Sequence, residues 1–434
     1  MFWQIPDGQQ ILLGHLPTTI PYAIQSGPLL SQEWMFEAVL AWAAQHSVYG
    51  SFVILCALAA AATPIFVYWA IRAFGISDVA AGIVAFLVVG SRFVGSAIRP
   101  ETFAVDAFAI ELFLLAQIKN RAWMIPVVVF WANLHASVVL APIAAFAFFA
   151  GEFLNQKTFN RPVIQSLTLA IGVVLATLIT PHGFHLWSYA FSLAVAPNPT
   201  REHLDTWRAL TFDGPGSLAA VLPGLLLIGC FGIVRLRQYT SEIILAIICL
   251  ILTITHERYA MFLVAGWAPA LARSLDMRAG LEKLAAQRPR TTILAILPLI
   301  VFAVASGIPK LSTPVEPVGP WQAAAGIITD HHLAGNTYAP YMWAAYLPYR
   351  HLPVRLLIDA HGDPYGTAVW DDHLSLRNVR SNWRDVLVRR QITLVVMPVD
   401  SALAQAMLLD TSWRQVETRD GIVALSKQNS VSQR

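Results

Sequence analysis

The sequence predicts an α-helical polytopic membrane protein of about ten membrane segments, followed by a small C-terminal soluble α/β domain. Three observations carry that prediction. Of the 434 residues, 56% are hydrophobic and only 13% charged, roughly half the charged share of an ordinary soluble domain. Apolar runs recur from about residue 51 to about residue 309, and a soluble core of that length would have too few charges for a solvated face. Lysines and arginines also alternate between successive loops, as the positive-inside rule requires.

Residues 1–50 form a polar first loop. The apolar piece Ile11 to Leu16 stops at Pro17 and is too short to span. From Trp34 to Ala44, apolar residues fall at helical spacing with Glu33, Glu37 and Gln45 at polar positions, which predicts a helix lying on the outer membrane surface.

Residues 51–309 form the transmembrane helical domain. Candidate spans are 51–71, 79–98, 102–118, 163–180, 217–234, 241–255, 259–272 and 291–308. The run from Trp123 to Phe153 is too long for one upright span at ~1.5 Å per residue. Two short helices meeting at Asn133-Leu134-His135 fit it better. With both counted, Arg72, Lys119, Arg121, Lys157, Arg161, Arg235 and Arg273 share one side of the membrane. Arg99, Arg201, Arg208 and Arg258 fall on the other, among acids such as Glu33, Glu101 and Glu257. Residues 1–50, the loop 181–216 and everything after 309 are then extracytoplasmic. An outer-side start needs a carrier, so a membrane helix upstream of Met1 is expected.

Charges return over residues 310–434. Strands are predicted at Val354 to Ile358 and Ile392 to Met397, with a helix from Asn382 to Arg389 between them. A hairpin of Trp413 to Glu417 and Ile422 to Leu425 turns at Asp420-Gly421.

A net charge of +3 with no run of like charges excludes nucleic acid as a partner. Cys56, Cys230 and Cys249 lie in apolar runs and read as small hydrophobes. Chemistry concentrates at the outer boundary: Glu33; Arg99 and Glu101; Asn133 and His135; His182; Glu202, His203 and Asp205; Glu257 and Arg258. Cations there would hold a lipid-linked phosphate, and a carboxylate would deprotonate an acceptor hydroxyl or hold a divalent metal ion. Each also has a plain structural role: Arg99 and Arg258 as helix-end anchors, His135 as an interhelical hydrogen-bonder, Glu33 as a helix cap. Asp106 and Glu111 lie inside a span about 140° apart around the helix, so a shared ion path is disfavoured. In the soluble domain, Asp359, His361, Asp363 and Tyr365 follow a strand, where α/β folds place ligands. A structural turn is the simpler reading.

Trp3, Gly8, Ile11-Leu12, Gly14 to Pro17 and Gln32-Glu33-Trp34 resemble the first outer loop of bacterial multi-pass proteins related to the GT-C glycosyltransferases. Arg99-Pro100, Trp131 to His135, Thr180-Pro181-His182-Gly183 and Ile358 to Tyr365 resemble later landmarks in the same order. The resemblance implies a GT-C-like inner-membrane protein that takes a sugar from a polyprenyl-phosphate donor and passes it to a lipid or envelope glycan acceptor on the outer face. Relatives carry an Asp before the Trp and another after Ile-Pro, where this chain has Met1-Phe2 and Thr18-Thr19-Ile20. Asp7 and Glu33 are the acids that remain as base or metal ligand, with Arg99, Glu101, Asn133, His135, His182 and Arg258 as substrate contacts. Two other functions fit the composition: a catalytically degenerate relative that binds lipid-linked glycan as an envelope scaffold, and a transporter using Asp106 or Glu111.

Overall fold

The computed structural model describes residues 2–90, 99–195, 239–255, 260–279 and 319–428. The chain is mostly helical with a small C-terminal sheet, and it divides into two compact units. One gathers the described parts of Met1–Ser47 and Pro314–Arg434; the other gathers those of Val48–Ala196 and Leu204–Thr313. The expected spans at 217–234 and 291–308 lie outside the described residues.

The helical unit holds α3 (Tyr49–Ala73), α4 (Asp78–Gly90), α5 (Pro100–Ala116), α6 (Met124–Leu134), α7 (Leu140–Gln156), α8 (Arg161–Thr177), α9 (His185–Val195), α10 (Thr240–Thr255) and α11 (Ala260–Ala279). Among the described residues, two of its helical stretches, Tyr49–Ala73 and Ala136–Gln156, are long and apolar enough to cross a membrane, and Arg161–Thr177 and Thr240–Thr255 are shorter apolar helices. Its interior packs Phe108, Trp131, Phe262 and Trp267 together with small residues. Large apolar side chains face outward on α3 (Ile54, Leu55, Leu58) and α8 (Ile164, Ile171, Leu175). The helix break expected at Asn133-Leu134-His135 is present: α6 ends at Leu134 and His135 is extended, with φ −165° and ψ 140°. A 3-10 turn, Ala136–Val139, then leads into α7.

The other unit opens with α1 (Gln4–Leu12) and α2 (Trp34–Gln45), which pack against each other. The approach is close because residue 8 is glycine: a Cβ there would lie 2.0 Å from the Glu37 carbonyl oxygen and 2.7 Å from the Ala41 Cβ. Then come α12 (Pro320–Asp330), β1 (Gly335–Tyr338), α13 (Tyr346–Tyr349), β2 (Val354–Leu356), α14 (Thr367–Arg377), α15 (Trp383–Arg389), β3 (Leu394–Pro398), α16 (Ala402–Leu408), β4 (Trp413–Arg419) and β5 (Ile422–Lys427). The sheet runs β2-β1-β3-β5-β4, with β2, β1 and β3 parallel and β5 and β4 antiparallel. Both expected strands, the connecting helix and the hairpin are found. Asp420 and Gly421 have φ of 48° and 77°, the two positive angles that a tight hairpin turn demands. Strand β1, with the polar sequence Gly-Asn-Thr-Tyr, is an addition.

The edge at β2 is covered rather than open. Leu356 N–H donates to Tyr22 O at 2.7 Å, Ile24 N–H to Leu356 O at 2.8 Å, and Gly27 N–H to Pro364 O at 2.7 Å. Arg355 adds a bond to Ala23 O at 3.1 Å. Phe2 sits edge-on to Tyr346 and Trp321, at 4.9 and 5.4 Å between ring centroids. The N-terminal segment is thus built onto the C-terminal domain by both backbone pairing and core packing.

Candidate active site

Two adjacent helix starts and one loop assemble a buried polar cluster in this unit. From α1 come Gln4 and Asp7, three residues apart and so on one helix face. Glu33 stands at the N-cap position of α2 and Glu37 in its first turn. Asp359, His361 and Tyr365 come from the loop after β2, at the carboxyl end of a parallel strand. All seven side chains are buried, that of His361 at 1% exposure.

His361 is the hub. Its Nδ1 lies 2.8 Å from Asp359 Oδ1, and its Nε2 lies 2.9 Å from Asp7 Oδ2. The Asp359 carboxylate also accepts from the His361 backbone N–H at 3.1 Å and from the Tyr365 hydroxyl at 3.0 Å. Burial alone would lower the His361 pKa, but the Asp359 and Asp7 carboxylates outweigh it and raise the ring to about 10. At neutral pH the ring is an imidazolium with both N–H groups donating. Burial pushes Asp359 up and the His361 charge pulls it down; the net effect leaves its carboxyl below the usual range. Trp3 lies against the imidazolium at 4.7 Å between ring centroids, a cation–π arrangement.

Glu33 and Glu37 differ. Gln4 Nε2 donates to Glu33 Oε2 at 2.9 Å, and Gln32 Nε2 lies 3.3 Å from Glu33 Oε1. Glu37 accepts from the Ser31 hydroxyl. Burial, with the charges of Asp7 and Glu33 adding to it, drives the Glu37 carboxyl well above the carboxylate range. Sequence periodicity placed Glu33 and Glu37 on the polar side of a surface helix; both are buried, at 6% and 1% exposure, while Val39 and Trp42 are exposed. Glu37 shares the buried face of α2 with Phe36, Leu40 and Ala41, and that face turns toward α1 and the His361 loop.

The helical unit carries the other described candidates. Arg99 is exposed at the N-cap position of α5, and Glu101 is buried in its first turn. His135 Nδ1 lies 2.8 Å from the Ser137 hydroxyl and accepts from the Ser137 N–H, capping the 3-10 turn; Trp131 Nε1 donates to that hydroxyl at 3.0 Å. Glu101 and His135 offer ligand atoms within 4.8 Å of each other. Asn133 donates to Val129 O and Ile179 O, both at 2.8 Å, tying the end of α6 to the turn after α8. His182 is half-buried in that turn. Arg258, Glu202, His203, Asp205 and Glu257 lie outside the described residues. Within α5, Asp106 accepts from Thr63 at 2.6 Å. Neither Glu111 carboxylate oxygen has a hydrogen-bond partner among the described residues.

Sequence reasoning selected Asp7 and Glu33 but missed Gln4, Glu37 and the Asp359–His361 pair as their partners. The available signal was the polar loop at the end of a buried strand, where a turn was the simpler reading.

No family model matches the chain, and no curated protein matches it. Solved structures do. AglB, the archaeal oligosaccharyltransferase of Archaeoglobus fulgidus in complex with an inhibitory peptide and a dolichol-phosphate, is similar with a TM-score of 0.56 and 12% identity, over 92% of this chain. The chain spans 65% of AglB's length. The same oligosaccharyltransferase in complex with Zn and sulfate gives a TM-score of 0.52 at 13% identity, over 92% of this chain and 63% of that one. ArnT of Cupriavidus metallidurans bound to undecaprenyl phosphate gives 0.52 at 14% identity, over 100% of this chain and 94% of that one. At such identities the likeness is one of fold. AglB and ArnT belong to the superfamily that the sequence motifs resemble, and this chain is similar to both in fold.

Proposed function

We propose that the chain is a polytopic inner-membrane glycosyltransferase that moves a sugar from a polyprenyl-phosphate donor to a lipid or envelope glycan acceptor on the outer face. The observation that carries this reading is Glu33, a buried carboxylate held by Gln4 at the start of α2, in a chain whose fold is that of lipid-linked glycan transferases. Outward apolar side chains on α3 and α8 support membrane residence, because a lipid-facing surface must be apolar. About ten spans, residues 51–309 as the membrane domain and residues 310–434 as an extracytoplasmic domain belong to the same proposal.

The two first-loop acids divide the work. Asp7 is committed to the imidazolium of His361 and serves the architecture. Glu33 takes the side-chain amides of Gln4 and Gln32 and is the acid assigned to the acceptor hydroxyl. In the reaction Glu33 takes the proton of the acceptor hydroxyl. The oxygen attacks the anomeric carbon from the face opposite the leaving group, and the sugar–phosphate C–O bond breaks. Polyprenyl phosphate leaves with the electron pair, and the anomeric configuration inverts. Arg99, Arg258, His135 and His182 are the proposed phosphate contacts.

The test is transfer of labelled sugar from a polyprenyl-phosphate donor by the protein in liposomes. Glu33→Gln should insert normally and lose transfer by about 10²–10⁴-fold, the usual worth of a general base. Undiminished transfer would remove Glu33 from the chemistry. The engagement of Asp7 by His361 favours one other reading, a glycan-binding scaffold without turnover. Restoration of envelope glycan by Glu33→Gln in cells lacking the wild-type protein would support that scaffold.

A further inference from the structure

Helix α1 carries two handles on one face. Asp7 is gripped by His361, and Gln4, one turn earlier, grips Glu33. The backbone of Gly8 lies directly against Glu37 O, so α1 cannot shift without moving the start of α2. His361 in turn cannot swing, because Asp359 and Trp3 hold its other edge and its face. The loop carrying it follows a parallel strand at its carboxyl end, the place where such sheets receive ligands. Here that place receives a side chain of the same polypeptide.

We propose that His361 is a positioning residue for the transfer reaction: it anchors α1 through Asp7, and α1 through Gln4 holds Glu33 in register for the acceptor hydroxyl. The inference rests on the transferase reading for its kinetic consequence and on the structure alone for the linkage. It assigns the C-terminal domain a direct part in catalysis from a residue that touches no substrate. One charge-assisted hydrogen bond ties α1 to a ring that Asp359 already holds in place, a stronger link than a neutral bond would give.

The experiment uses the full chain in lipid nanodiscs with three variants: His361→Gln, Asp7→Asn and Gln4→Met. Hydrogen exchange of the α1 amides and modification of Glu33 by a water-soluble carbodiimide, both read by peptide mass spectrometry, report the linkage without any activity. His361→Gln and Asp7→Asn should each raise α1 exchange and Glu33 modification at least ten-fold, and the double variant should add little. Gln4→Met leaves the ion pair intact, so it guards against simple unfolding. It should raise Glu33 modification with α1 exchange unchanged. Where wild type transfers sugar, all three variants should lower kcat by ten-fold or more with KM for the donor within two-fold. Unchanged α1 exchange and Glu33 modification in His361→Gln would overturn the proposal, as would a kinetic loss confined to KM. A wild-type protein with no transfer at all, but with the expected labelling pattern, would overturn the transferase reading and its kinetic consequence while leaving the linkage standing.

Discussion

The two units satisfy their buried polar groups over very different spans of sequence. In the helical unit many partners are close, with Ser137 two residues from His135, Glu242 thirty-one from Arg273 and Thr63 forty-three from Asp106, and the longer reach of Arg273 to the Phe74 carbonyl crosses 199. In the other unit Asp7 meets His361 across 354 residues and Arg355 reaches Ala23 across 332. Local pairing lets a helix bundle form element by element. Distant pairing makes the N-terminal segment and the C-terminal domain one cooperative object, whose polar cluster exists only when both ends are present. The second arrangement concentrates charge: two carboxylates share one imidazolium with Tyr365 and Glu37 close by, and loss of any member strands the others.

That contrast ranks the expected effects of substitution. Removing His361 as His361→Ala leaves Asp7 and Asp359 buried without their cation, and should cost the docked unit about 3–5 kcal/mol. The loss would appear as a lower thermal midpoint and rapid exchange in α1. Gly8→Ala forces a methyl against the Glu37 carbonyl and should cost about 1–3 kcal/mol by the same measurements. A Gly8→Ala variant as stable as wild type would mean that α1 and α2 can separate freely. In the helical unit, Ser137→Ala deprives Trp131 of its acceptor and His135 of the hydroxyl beside it, while the backbone N–H bond to His135 stays, at about 1–3 kcal/mol, but α1 exchange should stay unchanged. Arg384→Ala, at an exposed pair with Asp410, should change stability by about 0.5 kcal/mol or less.

The pH dependence sharpens the same comparison. His361 is raised from 6.5 to about 10 in the folded protein. Its stabilisation is complete below 6.5 and is lost as pH rises through 10. Glu37, raised above 4.5, acts in the same direction. Asp359, lowered below 3.8, acts oppositely: its contribution is present above 3.8 and lost as pH falls through its folded value. Protection of α1, corrected for intrinsic exchange, should be greatest near pH 4 to 4.5, decline above 4.5 through Glu37, and decline further above 6.5 toward pH 10 through His361. In His361→Gln much of that alkaline decline should vanish.

The sequence was legible where structure is local. Apolar runs located the described helices of the larger unit except α9 (His185–Val195), which falls in the stretch 181–216 read as a loop. The polar interruption Asn133-Leu134-His135 marked a real break, because a His capping Ser137 two residues on is a short-range event. The hairpin followed from Asp420-Gly421, where two positive φ angles are a property of those residues. Strand β1 escaped because Gly335-Asn336-Thr337-Tyr338 has no apolar alternation; its place comes from β2 and β3 on either side. Helix α1 escaped because its residues are mainly polar and its stability comes from α2 and His361. The burial of Glu33 and Glu37 escaped for a related reason. An acid reads as solvated until a cation from 300 residues away is known to be near.

The most direct single measurement is sugar transfer by Glu33→Gln and Asp7→Asn side by side, with thermal midpoints taken on the same preparations. Glu33→Gln should keep most of its stability and lose transfer by two orders of magnitude or more, while Asp7→Asn should lose stability along with activity. Full transfer by a stable Glu33→Gln protein would contradict the division of roles between the two acids, and with it the assignment of Glu33 as base.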